Sequence, residues 1–378
     1  MELFKPKIIF INHFSVSGAT LLFSLFDNHS DTILIPAFLD FPRFWKENNF
    51  TKNEKFSIVL NALSKWDSLF EKKEKAQIQN VGNKNESVII KDKKKFLKLT
   101  KLNWKHDKIT WTELFYLVYY IYCIYRKVNF KKIKFIICHP HGFENISKMS
   151  KDFPTSKVIH ILRDPRAANY SYKITHHKIR SKLKQSFQLQ PYKADIYFPY
   201  LSMRLFALAN KNNFFKDKEK HKIIRFEDLH LNSKNVMHSI CKWVGLKWNN
   251  SLLKPSFMSK PWGGNAVSGK LIFSFSKDKA KSKKWLNNLS KDELILYEAT
   301  CKKYLKKFKY DFIFKPSKTS FYVAFFRLYF LNIRDSGKMV KRYFLLSSEK
   351  DKIKKIIIFL IKQIRFIVAF FYFFLISR

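Results

Sequence analysis

The sequence predicts an α/β domain built on a mostly parallel sheet, and two observations carry that expectation. Short apolar strand patterns recur at Ile8–Ile11, Lys134–Cys138, Lys157–Leu162 and Lys222–Phe226, separated by long helical or irregular stretches, the alternation of strand and helix that such sheets require. The first of these runs passes into a loop of small and hydroxylated residues, and an amphipathic segment opens at Thr20. A strand, a tight loop and a helix start in that order aim several backbone N–H groups at one point, which is how proteins hold phosphate.

Composition sets the bounds. The chain has 378 residues, 46% of them hydrophobic, enough to bury a large core. A formal net charge of +44 favours anionic partners, although a chain with only 8 glycines and abundant Lys, Asn, Ile and Phe also fits a composition bias spread over solvated faces. No DNA- or RNA-binding motif accompanies the charge, which leaves nucleic acid the weakest partner class. Cys123, Cys138, Cys241 and Cys301 are far apart and lack the paired spacing of a zinc or redox site, so they read as structural thiols of a reducing compartment. The first strand begins almost at the N-terminus, where a cleavable signal would remove it, so the expectation is cytoplasmic exposure of the main domain.

Along the chain, residues 46–109 are rich in Lys and Asn with scattered aromatics and read as an irregular, variable stretch. The run Thr112–Tyr125 is apolar and aromatic but too short to cross a bilayer, so it predicts a buried helix, with Thr110 or Thr112 as its cap. Ser290 followed three residues later by Glu293 is a capping-box pattern that opens a helix within Leu286–Tyr310. We expect a domain over residues 1–315, in which residues 46–130 form a variable helical insertion shaping an acceptor site, and a basic tail over 316–378.

The loop after the first strand reads His13-Phe14-Ser15-Val16-Ser17-Gly18-Ala19-Thr20-Leu21-Leu22. Gly18 lets the backbone curl around an anion, and the N–H groups of Ser17, Gly18, Ala19 and Thr20, with the Thr20 hydroxyl, can donate to it. There is no G-x-x-x-x-G-K-[S/T] pattern, which disfavours a kinase or ATPase. The stretch resembles the 5'-phosphosulfate loop of sulfotransferases that use 3'-phosphoadenosine 5'-phosphosulfate (PAPS), and Asp27, His29 and Pro36 keep step with that family's continuation. It departs from the pattern where the family's basic residue falls on Val16 and its leading glycine on His13.

A second stretch, Ser156–Tyr172, has a buried-strand pattern ending in Arg163-Asp164-Pro165-Arg166, with Ser171 eight positions after Arg163. Pro165 suits the first turn of a helix, which carries Ser171 about two turns along. This resembles the family's 3'-phosphate motif, which implies that Arg163 and Ser171 hold that phosphate. Taken without the resemblance, the same residues also fit a turn held by a structural Arg–Asp pair.

Between the two motifs, the strand Lys134–Cys138 ends in His139-Pro140-His141. In the cytosolic branch of the family a histidine at this strand end is the general base, so the resemblance points to His141 or His139, with His141 slightly preferred and Glu144 in reserve. The family's lysine at this place is absent, Cys138 or His139 standing there. An imidazole titrating near neutrality suits the removal of a hydroxyl proton. His176 and His177 read as solvated or substrate-contacting. Further on, Arg225-Phe226-Glu227-Asp228-Leu229 matches a family block whose acidic pair is structural, Gly245 fits a helix C-cap, and Pro261–Lys270 matches a loop that makes Lys270 a candidate phosphate contact.

The resemblance spans residues 5–312. It implies a P-loop-like three-layer fold with a mostly parallel central sheet flanked by helices, a metal-free transfer of a sulfuryl group from PAPS, and a carbohydrate or glycolipid acceptor. In the tail, Lys362, Gln363 and Arg365 interrupt Ile353–Arg378 and leave eleven uninterrupted apolar residues, Phe366–Ile376. That predicts an interfacial helix at an anionic membrane surface rather than a span, with packing on protein as the alternative.

Overall fold

Strand β1 (Lys7–His13) is buried along five consecutive residues, which requires cover on both faces and places it inside a sheet. The computed structural model describes residues 4–14, 16–36, 53–66, 69–70, 78, 81–82, 90–140, 143–182, 197–264, 274–345, 360–361, 364–365, 367–372 and 374–375. The remaining strands are β2 (Thr32–Leu34), β3 (Asn53–Lys55), β4 (Lys108–Thr110), β5 (Phe135–Cys138), β6 (Lys157–Leu162), β7 (His221–Arg225), β8 (Ser256–Phe257) and β9 (Lys260–Pro261). The helices used below are α1 (Ala19–Ser24), α2 (Phe56–Ser64), α3 (Lys93–Asn103), α4 (Trp111–Arg126), α5 (Phe143–Asp152), α6 (Pro165–Lys182) and α7 (Tyr197–Lys211). They continue with α8 (Phe226–Leu231), α9 (Ser233–Val244), α10 (Lys291–Thr300), α11 (Lys302–Lys307) and α12 (Lys318–Leu345).

The chain forms two units, Met1–Leu162 with Phe215–Lys281, and Arg163–Phe214 with Ser282–Arg378. The first holds a five-stranded sheet in the order β2-β5-β1-β6-β7. Every pairing in it is parallel. Register sorts the side chains by face. Ile9, Ile11, Ile137, Ile159, Ile161 and Ile224 pack with Leu22 and Phe23 of α1 and with Leu229, Met237 and Ile240 of α8 and α9. On the other face Phe10 meets Phe153, which also contacts Trp111 and Phe115 of α4. Helices on both faces of a parallel sheet make the three layers, so the expected α/β fold is what the chain adopts.

Four strands fall where the apolar runs predicted them, within a residue or two at each end. Thr110 caps α4 with Glu113, Ser290 caps α10 with Glu293, Pro165 opens α6 and Gly245 caps α9 in the left-handed conformation, as the sequence patterns predict. Where an irregular stretch was expected, the structure describes α2, α3 and a short β3–β4 antiparallel ladder. No separate signal in the sequence marks β2, three residues at the sheet edge. The helix expected over Leu286–Tyr310 is two helices, α10 and α11, meeting at Cys301. All four cysteines are buried and carry no disulfide.

In the second unit, Phe321, Phe325 and Leu328 of α12 form a core with Met203 of α7, Leu296 of α10 and two residues of the C-terminal segment, Phe370 and Phe374.

Candidate active site

In an open parallel sheet, ligands gather at the carboxyl ends of strands where connections leave in opposite directions. Here β1 has β5 on one side and β6 on the other, so the loops after these three strands are where the sequence motifs should matter.

The loop after β1 turns at Gly18, with φ 86° and ψ 20°. Two constraints demand glycine there. An L side chain is strained at that φ, and an added Cβ would stand 2.5 Å from Cδ2 of Phe226, the first residue of α8. The Gly18 carbonyl then accepts the first helical bonds of α1, from the N–H groups of Leu21 and Leu22. Ser17 is buried, and its hydroxyl has no hydrogen-bond partner among the described residues. A buried hydroxyl without a partner is costly, and a ligand oxygen at this turn would satisfy it. Ala19 is buried, Thr20 is half-buried, and Val16 stands exposed where the family has a cation. The donor set is therefore one for an anion: a hydroxyl, a turn of backbone N–H groups and no carboxylate in the stretch from His13 to Ser24.

At the end of β5, His139 is 3% exposed, and its Nδ1 donates to the carbonyl of Ile11 on β1 at 3.0 Å. That bond fixes the tautomer with the proton on Nδ1. The ring meets His13 edge-on with centroids 5.3 Å apart and lies 6.0 Å from Phe23. His141 lies outside the described residues, as does Lys270, and the side chains of Glu144, His176 and His177 are likewise outside them.

The Arg163–Ser171 motif belongs to the second unit, where its charged residues divide their work. Arg163 Nη1 donates to the Ser171 hydroxyl at 3.0 Å, so the two residues separated by eight positions are in contact. Arg166 instead is buried at 1% exposure and holds the turn: Nε and Nη2 reach the Asp164 carboxylate at 3.0 and 2.9 Å, and Nη1 reaches Glu298 at 2.7 Å. Its guanidinium also lies over the Trp285 ring at 4.3 Å. Glu298 in turn accepts from the N–H groups of Ile313, Phe314 and Lys315. The structural Arg–Asp pair is thus present, made by Arg166, while Arg163 pairs with Ser171. Removing one member of such a buried network costs about 3–5 kcal/mol because a charge is left uncompensated.

Two contributions to the site are not part of the sequence expectations: the approach of Phe226 to Gly18 and the carboxylate of Glu298. Phe226 closes over Gly18, and no spacing signals a contact between residues this far apart. Glu298 stands among apolar helix neighbours, a pattern that marks a buried carboxylate but does not name Arg166 as its partner. Asp27 accepts from the N–H groups of Met258 and Ser259 and from the Ser256 hydroxyl, pinning the β8–β9 turn. Burial raises its pKa, and the Ser259 and Met258 N–H bonds oppose that shift.

The sequence model of the Sulfotransferase family matches residues 9–250, well over half of the chain. The chain belongs to the sulfotransferase family, and it is an enzyme of sulfuryl transfer. No match was found among curated proteins. Among solved structures it is similar to the sulfotransferase domain from the curacin biosynthetic pathway, at 17% identity over 82% of this chain and 99% of that one, with a TM-score of 0.43. A similar likeness is to the sulfotransferase domain of the Synechococcus PCC 7002 olefin synthase, at 14% identity over 82% and 97%, TM-score 0.45. Mouse sulfotransferase SULT7A1 complexed with PAP is 14% identical over 77% and 91%, TM-score 0.31. Identities and scores this low are resemblances only, and the family membership rests on the sequence model.

Proposed function

We propose that this sulfotransferase takes its sulfuryl group from PAPS and delivers it to a hydroxyl of a carbohydrate or glycolipid, with His141 as general base. The observation that carries the donor assignment is the contact between Arg163 and Ser171. A guanidinium and a hydroxyl already in contact are suited to a phosphate dianion, which accepts charge-assisted hydrogen bonds from both. The buried Ser17 hydroxyl supports the same reading for the 5' end.

When bound, PAPS supplies an activated sulfuryl group, and the rest is positioning, charge stabilisation and one proton transfer. Ser17, Gly18, Ala19 and Thr20 hold the 5'-phosphosulfate oxygens through N–H groups and hydroxyls, and Lys270 is a further phosphate contact of the donor. Arg163 and Ser171 hold the 3'-phosphate. His139 is buried and committed to the Ile11 carbonyl, which suits a residue that positions the end of β5. The proton of the acceptor hydroxyl goes to His141, two residues further on in the sequence, with His139, whose Nδ1–H bond leaves Nε2 as its acceptor atom, as the second candidate base. Residues 46–130 shape the acceptor site of the domain 1–315, and the tail 316–378 brings the enzyme to an anionic membrane surface.

Release of adenosine 3',5'-bisphosphate from PAPS, followed against a panel of glycans and glycolipids, tests this. His141→Ala should lower turnover about a hundredfold or more while leaving bisphosphate affinity unchanged. Full turnover in that variant would remove His141 from the role.

A further inference from the structure

The second unit carries a cleft that the transfer chemistry does not use. Ala299, Thr300, Pro316 and Phe321 line it together with Lys302, Lys303, Lys306 and Lys318, around a volume of about 580 Å³. No carboxylate lines the cleft, and none of the four lysines is in an ion pair with one among the described residues. A concave site with four cations and no counter-charge attracts a phosphate ester.

The helix α12, whose Lys318 and Phe321 line the cleft, also carries an extended exposed apolar stripe. Phe321 lines the cleft and stacks on Phe374 of the C-terminal segment, with centroids 4.3 Å apart. The residues beyond it split into two stripes along α12. Ala324, Phe325 and Leu328 are buried, whereas Tyr322, Val323, Phe326, Phe330 and Leu331 are 38–63% exposed. Ile361, Ile364, Val368, Tyr372 and Leu375 are exposed as well. Soluble surfaces rarely present so many aromatic and aliphatic side chains at helical spacing. Among the described residues no helix is long and apolar enough to cross a membrane, so this stripe suits the interface of a bilayer rather than its interior.

We propose that this surface docks on an anionic bilayer, with a phospholipid headgroup in the lysine cleft and the Tyr322–Leu331 stripe in the interfacial layer. The inference rests on the proposed membrane-surface role of the tail and gives that role a site. Charge complementarity selects lipid over a second copy of the chain, because two copies would bring lysine clefts of like charge together.

The test is sedimentation of the full chain with vesicles of phosphatidylcholine, with and without phosphatidylglycerol, at low and high salt. Binding should require the anionic lipid and fall with salt. Lys303→Gln with Lys306→Gln should weaken it about fivefold per lysine. Phe326→Ser with Phe330→Ser, at exposed positions, should weaken it too. Equal binding to neutral vesicles, or no effect of the lysine changes, overturns the proposal. So does a dimer that the phenylalanine changes dissociate in a protein that ignores vesicles. Vesicle binding by a protein that releases no bisphosphate from PAPS would leave the docking site standing and remove the catalytic reading instead.

Discussion

Gly18 is fixed by its own backbone and by Phe226, a neighbour far along the chain. Its φ of 86° lies where any side chain is strained, and Phe226 fills the space a Cβ would take. Gly18→Ala should therefore cost about 1–3 kcal/mol of stability and weaken donor binding beyond that loss, because the turn that aims the N–H groups must open. Urea denaturation alongside titration with adenosine 3',5'-bisphosphate checks both, and an alanine variant with unchanged affinity would detach the turn from the donor. At this scale much was legible: Gly18, Arg163 and Ser171 are contributions of backbone conformation or of local spacing. What was not legible came through long-range packing, as with Phe226 over Gly18 and Glu298 against Arg166.

Strands β1, β5 and β6 announced themselves because the interior of a parallel sheet is apolar on both faces, so each is written as a short aliphatic run bounded by polar residues. Strand β7, at the sheet edge, is instead buried at Ile224 alone and was marked by its Ile223-Ile224 pair. Strand β2 has three residues and β3 reads Asn-Glu-Lys, so neither carries enough periodicity to be seen. The polar residues on the covered face of the sheet also have an element-level consequence. Asn12 Nδ2 lies 2.9 Å from His160 Nδ1, and His160 Nε2 lies 2.9 Å from His221 Nδ1. Burial, and then the charge of His221, holds His160 well below its usual pKa, and burial lowers His221 despite Asp217. Groups with depressed folded pKa values bind protons more readily when unfolded. The stability they support is full above about pH 6.5 and is lost as pH falls below it, by at most about 1.4 kcal/mol per pH unit for each group. Urea midpoints should thus drop between neutral and mildly acidic pH, and His160→Gln should flatten the profile. A profile of the wild type that is flat over this range would contradict the account.

For the molecule as a whole, the order of motifs carried more information than any single one. The strand-end loop, the histidine-bearing strand and the Arg163–Ser171 stretch occur in sequence, and the sheet order sets β1 between β5 and β6. The net charge of +44 was visible from the start, but composition alone cannot sort solvated lysines from a cleft, and only folding shows four of them around one cavity. The central claim is that Arg163, in contact with Ser171 while Arg166 makes the structural pair with Asp164, binds the 3'-phosphate of the sulfuryl donor. Calorimetric titration with adenosine 3',5'-bisphosphate, on the wild type and on Arg163→Ala, tests it most directly. Saturable binding by the wild type that falls about tenfold or more in Arg163→Ala, as loss of a charge-assisted hydrogen bond predicts, would bear the claim out. Equal binding by both proteins, or none by a folded wild type, would contradict it.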